Sequence, residues 1–215
     1  MRIVELSHTI RADMPVYPGT EPPHLLPAGD YEKDGYRETL LELYSHTGTH
    51  IDAPAHIFPR GRTLDAFPPA QFAGQALVID CRGLPAGAEI PASCITRYGT
   101  AAERAEFLLF CTGWDAPWGT DAYFGDYPCL SGAALELIIA GRYKGIGFDV
   151  IGLDPAADAR LMRHNRLFSA RDDMINIENL QGLAQCLGGL FRFACLPLKF
   201  ENSDGAPARA IAWLE

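Results

Sequence analysis

The sequence is poor in the features that would direct it to nucleic acid, to a membrane or out of the cell. Basic side chains are outnumbered, 18 Lys and Arg against 27 Asp and Glu, leaving a formal charge of −9 and no cationic footprint for a phosphate backbone or an anionic lipid surface. No apolar run is long enough to span a bilayer. The opening "MRIVELSHTI" lacks a basic run leading into an apolar core and a small-residue cleavage site, so export is not expected. The cysteines Cys81, Cys94, Cys111, Cys129, Cys186 and Cys195 are scattered, with no CxxC pair among them. Surroundings such as "LVIDC" and "FRFAC" mark them as reduced core thiols, and a cytoplasmic location is expected. No GxSxG elbow and no cysteine beside a histidine offers a nucleophile. "GIGFDVIG" lacks the glycine order of a dinucleotide loop. Internal repeats and low-complexity tracts are missing too.

What is present is enough for one well-packed domain, 1–215, with 48% hydrophobic residues and no break in composition. The first third is dense in proline and glycine, as in "MPVYPGTEPP" and "AFPPAQ", which predicts long shaped loops. Beyond it, "QALVIDC", "EFLLFCTG" and "KGIGFDVIG" read as buried strands. "SGAALELIIAGR" reads as a helix capped by Ser131, and "DPAADARLMRHNRLF" as a helix from about Pro155. "MINIENL", "RFACLPLKF" and "ARAIAWL" add further strands, so the expected class is α/β with a mixed β-sheet.

The chemistry concentrates in "HTGTHIDAPAH", residues 46–56. Thr47, Gly48, Thr49 and the nearby Pro54 disfavour a helix, so an extended segment is predicted. On a strand His46, Gly48, His50 and Asp52 share one face, with Leu41, Leu43 and Ile51 on the other, and Gly48 leaves room for an ion between the histidines. Two imidazoles and a carboxylate suit a catalytic zinc with an open position; the same trio suits the iron of an oxygenase. The plain alternative is a solvated polar face. His56 reads as a fourth ligand, a general acid–base, or a structural loop histidine. His164 and Glu178 are candidates for the other half of a two-metal site, since a glutamate ending an apolar strand needs a cation or hydrogen-bond partner. Tyr17, Phe58 and Trp114 are candidates for a flat aromatic pocket, with core packing the competing reading and the favoured one for Phe58. His8 and His24 read as structural or substrate-loop residues.

The eleven-residue segment resembles the signature HxGTHxDxPxH of the metal-dependent cyclase family, which includes bacterial kynurenine formamidase and isatin hydrolase. "LSHTIRADMPVYPGT", "CTGW", "GIGFDVIGLDP" and "IENL" extend the likeness over nearly the whole chain. The resemblance implies a swivelling β/β/α domain assembled as a homodimer or homotetramer. It implies that His46, His50 and Asp52 hold one metal. Asp52 would bridge to a second, bound with His164 and Glu178, and His56 would move the proton. The metal would be zinc, two ions per site, or alternatively manganese. The activity implied is hydrolysis of an amide, formamide or lactam C–N bond in a small-molecule substrate. The alternatives are an oxygenase using the His-His-Asp trio and a metal-stabilised binding protein without turnover. Two departures stand out: Tyr17 replaces the tryptophan that lines the formamidase pocket, and the stretch from His164 to Glu178 is about two residues longer, with "RDD" expected to bulge as a loop.

Overall fold

The computed structural model describes residues 1–214. Its strands, in chain order, are β1 (Arg2–Glu5), β2 (His24–Gly29), β3 (Glu38–Glu42), β4 (His50–Asp52), β5 (Ala73–Asp80), β6 (Glu89–Ile90), β7 (Phe107–Cys111), β8 (Cys129–Leu130), β9 (Gly145–Phe148), β10 (Ile175–Glu178), β11 (Phe191–Pro197) and β12 (Gly205–Leu214). Eight of them form one sheet in the order β1-β12-β11-β5-β7-β9-β10-β4. An additional pairing of β4 with β12 closes this sheet on itself. The sheet is mixed: β5, β7, β9 and β10 run parallel, while β11, β12, β1 and β4 join antiparallel.

Alternation along the central strands explains the layers. In β7, Phe107, Leu109 and Cys111 enter the barrel core, with Ile51, Val78, Ile177 and Phe193. Leu108 and Phe110 face outward to a second core, closed by the helices Gly132–Ala140 and Met162–Ala170. A strand buried on both faces has no polar side to show, and this is why "FLLFC" is continuously apolar. Ser131 caps the first of these helices, its side chain accepting from Ala134 N–H. All six cysteines are free and buried.

Three sequence expectations need correction. The segment from Pro155 is not helical until Met162, because the Asp158 carboxylate takes the N–H groups of Arg160 and Met162 and holds a turn instead. Leu41 does not face a core: β2 and β3 form a separate hairpin on which Leu25, Leu26, Leu40 and Leu41 are all exposed. Residues 46–52 are not one continuous strand either; His46 lies in a turn and only His50–Asp52 pairs. The "RDD" stretch does form a turn. Arg171 ties it down by donating to the carbonyls of Ile139, Gly141 and Tyr143 and to Asp173.

Candidate metal centre

Gly48 sits at φ +65°, a left-handed conformation that glycine adopts without strain. This turn, not an open strand face, delivers the histidines. It aims the Gly48 carbonyl at His50, whose Nδ1 donates to it at 2.7 Å, while Asn179 Nδ2 donates to the same oxygen at 2.9 Å. Tyr123 in turn donates to Asn179 Oδ1 at 2.5 Å. A Cβ on Gly48 would lie 3.0 Å from Met14 Cε, so the amino-terminal loop, rather than space for an ion, packs against it. With its Nδ1 committed to the backbone, His50 presents Nε2 to Asp52 Oδ1 at 3.2 Å and to Glu178 Oε2 at 3.4 Å.

His164 is held in the same manner. Its Nδ1 donates to Asp154 Oδ2 at 2.6 Å, leaving Nε2 3.2 Å from Asp52 Oδ2 and 3.3 Å from Glu178 Oε1. Asp154 also accepts the backbone N–H of Arg163 and of His164, so one buried carboxylate caps the helix and sets the imidazole. His46 Nδ1 meets Asp52 Oδ1 at 2.7 Å, and its Nε2 meets Asp204 Oδ2 at 3.0 Å. Glu178 accepts from Leu153 N–H at 2.7 Å, so the partner that its position demanded is supplied.

Two trios therefore share Asp52. The ligand atoms of His46, His50 and Asp52 lie within 4.8 Å of one another, and so do those of Asp52, His164 and Glu178. A third group joins His46, His56 and Asp204 at the rim. The electrostatics match a cation site. Burial pulls the His50 imidazolium down, but Asp52 and Glu178 outweigh it and carry its pKa to about 10. Burial likewise opposes charge on His164, yet Asp154, Asp52 and Glu178 raise it well above the ordinary value. Against its own burial, Asp52 is held well below the usual carboxylate range by His50, His164 and His46. Protons on the imidazoles thus balance the clustered carboxylates. A divalent ion would supply the same positive charge, and the donor set of imidazole nitrogens and carboxylate oxygens fits one.

His56 differs from the others. Its ring lies 4.0 Å from that of His46 and 5.8 Å from that of His164, centroid to centroid. Burial first, and then the charges of His46 and His164, lower its pKa despite Asp52 and Glu178, a shift in the direction that suits a proton acceptor.

The centre opens into a cavity of about 480 Å³ with walls from Pro15, Val16, Tyr17, Tyr44, Ile151 and Leu161. Tyr17 lines it; Trp114 does not. The Trp114 indole N–H instead donates to the Tyr123 carbonyl at 2.9 Å, and the ring packs edge-on to Tyr127. Phe58 packs on the outer core. His8 stacks on Trp118 at 3.7 Å, and His24 pairs with Glu42 on the exposed hairpin. Asp154, Asn176, Asn179 and Asp204 escaped the sequence reading. Asn176 carried a signal, two residues before Glu178 on a strand, and Asp154 stood in the "GLDP" turn. Asp204 carried none, since it reaches His46 only through the pairing of β12 with β4.

Comparison with known proteins places the chain in a family. The kynurenine formamidase of Salinibacter ruber is 29% identical over 221 residues, covering 98% of this chain and 97% of its own. Isatin hydrolase A from Ralstonia solanacearum superimposes with a TM-score of 0.87 at 24% identity, over 100% of this chain and 92% of that one, and shares the fold. A structure described as a predicted metal-dependent hydrolase from Bacillus stearothermophilus gives a TM-score of 0.74 at 25% identity, over 98% and 97%. The Cyclase family model matches residues 4–155, well over half of the chain. This protein belongs to the Cyclase family.

Proposed function

We propose that the protein is a single-domain, metal-dependent hydrolase that cleaves an amide, formamide or lactam C–N bond in a small aromatic substrate. One observation carries this reading: two ligand trios share Asp52 at the base of a cavity, with the imidazole of His56 beside them. His46, His50 and Asp52 would hold one divalent ion, and Asp52, His164 and Glu178 a second; zinc suits these donors, with manganese the alternative. When bound, the ions would polarise the scissile carbonyl and make a water molecule more acidic. His56 accepts the proton of the attacking water and returns it to the leaving nitrogen. Tyr17 and the apolar wall hold the aryl group. The second trio favours this reading over a mononuclear oxygenase built on the His-His-Asp trio, which has use for only one.

No helix among the described residues is long and apolar enough to cross a membrane. Six buried, unpaired thiols suit the reducing cytoplasm. On the β2–β3 hairpin Leu25 opposes Leu41 and Leu26 opposes Leu40, all exposed, and a second copy of the chain is the proposed cover, giving a homodimer or homotetramer. Light scattering should show more than one chain per particle, and fewer for the double variant Leu40→Lys, Leu41→Lys; a monomeric parent would end this part of the reading.

The test of activity is turnover by the zinc- or manganese-loaded protein of N-formylkynurenine, isatin and related aryl amides, run with and without oxygen. Hydrolysis in strict anaerobiosis, abolished by a chelator, is expected. Failure across the panel would remove these substrates, and activity in chelator would remove the metal.

A further inference from the structure

The register of β4 against β10 does more than bring Glu178 opposite His50. It sets Asn176 directly opposite Asp52. Cross-strand partners project on the same face of a sheet, and so do residues two apart on one strand, so the Asn176 amide must lie against both Asp52 and Glu178. Its Nδ2 is 2.8 Å from Asp52 Oδ2, 2.8 Å from Glu178 Oε1 and 3.4 Å from His164 Nε2. The side chain is wholly buried, and its Oδ1 has no hydrogen-bond partner among the described residues. Reversing the amide would turn that oxygen onto two carboxylates, so the unpaired oxygen is the consequence of aiming both N–H bonds inward. Asp52, His164 and Glu178 line the cavity, whereas Asn176 does not. The amide therefore caps their trio from the side away from the cavity and leaves the open side for a cation.

Building on the two-ion reading above, we propose that Asn176 is a positioning residue of the Asp52–His164–Glu178 cation subsite: from the floor of the site it donates one N–H to each carboxylate and fixes both for metal. It touches neither cavity nor substrate, and it acts through its neighbours. Groups that orient metal ligands in this way typically matter by about 10- to 100-fold in affinity.

The experiment measures zinc stoichiometry and affinity, by elemental analysis after dialysis and by competition with a chromophoric chelator, for wild type and for Asn176→Ala and Asn176→Leu. Wild type should bind two equivalents. Asn176→Leu, which fills the space but donates nothing, should weaken one equivalent by at least about 10-fold and the other, which shares Asp52, by less. Asn176→Ala, where a water can enter and donate, should lose less, and it keeps the test open if the leucine variant does not fold. Two unchanged equivalents in the alanine and leucine variants would overturn the proposal. Wild type binding no zinc would defeat the metal reading along with the proposal, whereas zinc-dependent turnover with unaffected variants would defeat the proposal alone.

Discussion

Gly205→Ala should empty the His46 subsite while sparing the fold. Gly205 opens β12 directly opposite Asp52, and the His46 imidazole lies across it. An ideal Cβ would stand 2.8 Å from His46 Nε2 and 2.9 Å from Nδ1, with Cε1 closer still. Ordinary carbon contacts need about 3.5 to 4.0 Å, so the ring must retreat by roughly 1 to 1.5 Å. Its backbone conformation is open to alanine, since Gly205 is not among the positive-φ residues. The obstructing atoms belong to a side chain that is 23% exposed and can swing outward, which limits the cost to the metal-free fold to about 1 kcal/mol. The ligand geometry is far less forgiving: metal–nitrogen distances tolerate about 0.2 Å. Retreat also breaks the clasp of Asp52 and Asp204 on the ring. Zinc content should fall toward one equivalent and turnover by about 100-fold, while the melting midpoint measured in chelator stays close to wild type. Full zinc content with turnover within about twofold of wild type would refute the reasoning, as would a metal-free melt lowered by several kcal/mol.

Asp154→Asn keeps one of the two acceptor oxygens that the helix N–H groups use and removes the charge facing His164 Nδ1, so a zinc titration should show about 10- to 100-fold weaker binding with a melt lowered by only about 1 kcal/mol. Equal affinity would mean that the carboxylate serves only the helix. His8, buried against Trp118, has its pKa lowered by that burial to about 4, so between pH 6.5 and 4 the unfolded chain takes up a proton that the folded chain refuses. Its contribution is present above pH 6.5 and lost as pH falls through this window; discounted for partial exposure it is about 1 to 2 kcal/mol. Urea titrations at several pH values should show a shallower acid loss for His8→Phe, and an identical slope would exclude His8 as its source. Burial raises the Cys186 thiol to about 11 and excludes reagent from all six cysteines, so a disulfide-exchange dye should label native protein slowly and six thiols in denaturant. Rapid labelling of native protein would contradict the core placement.

The candidate ligands were legible because their types and spacing are improbable without a metal. His46, His50 and Asp52 come from one short segment, and even a mistaken backbone shape for it named side chains that the fold does bring together. Continuous apolar strands such as "FLLFC" gave the parallel part of the sheet for a similar reason, since burial on both faces leaves a local record. Gly48 was legible as a glycine but not as a turn, because a positive φ depends on the loop that packs against it. The helix that carries His164 starts late because Asp158 holds a turn before it, and its cap, Asp154, lies eight residues ahead of Met162; a cap across a turn leaves no spacing rule. Asp204 lay beyond any local pattern, since its meeting with His46 is decided by which strands pair. The exposed leucines of the hairpin mislead for a different reason, because alternation shows which residues avoid water without naming the surface that covers them.

The closure of the sheet gives the centre a mechanical meaning. The barrel is shut by a three-residue strand, β4, which pairs with β10 on one side and β12 on the other. His50 and Asp52 sit on that strand and Glu178 on its neighbour, so a cation held among them spans the shortest joint in the wall. Occupancy and closure then become one equilibrium, in which metal acts as a rivet and its loss as a loosened stave. Backbone amides around Ile51 should exchange with solvent faster once the ions are withdrawn, while those deep in β7 keep their pace.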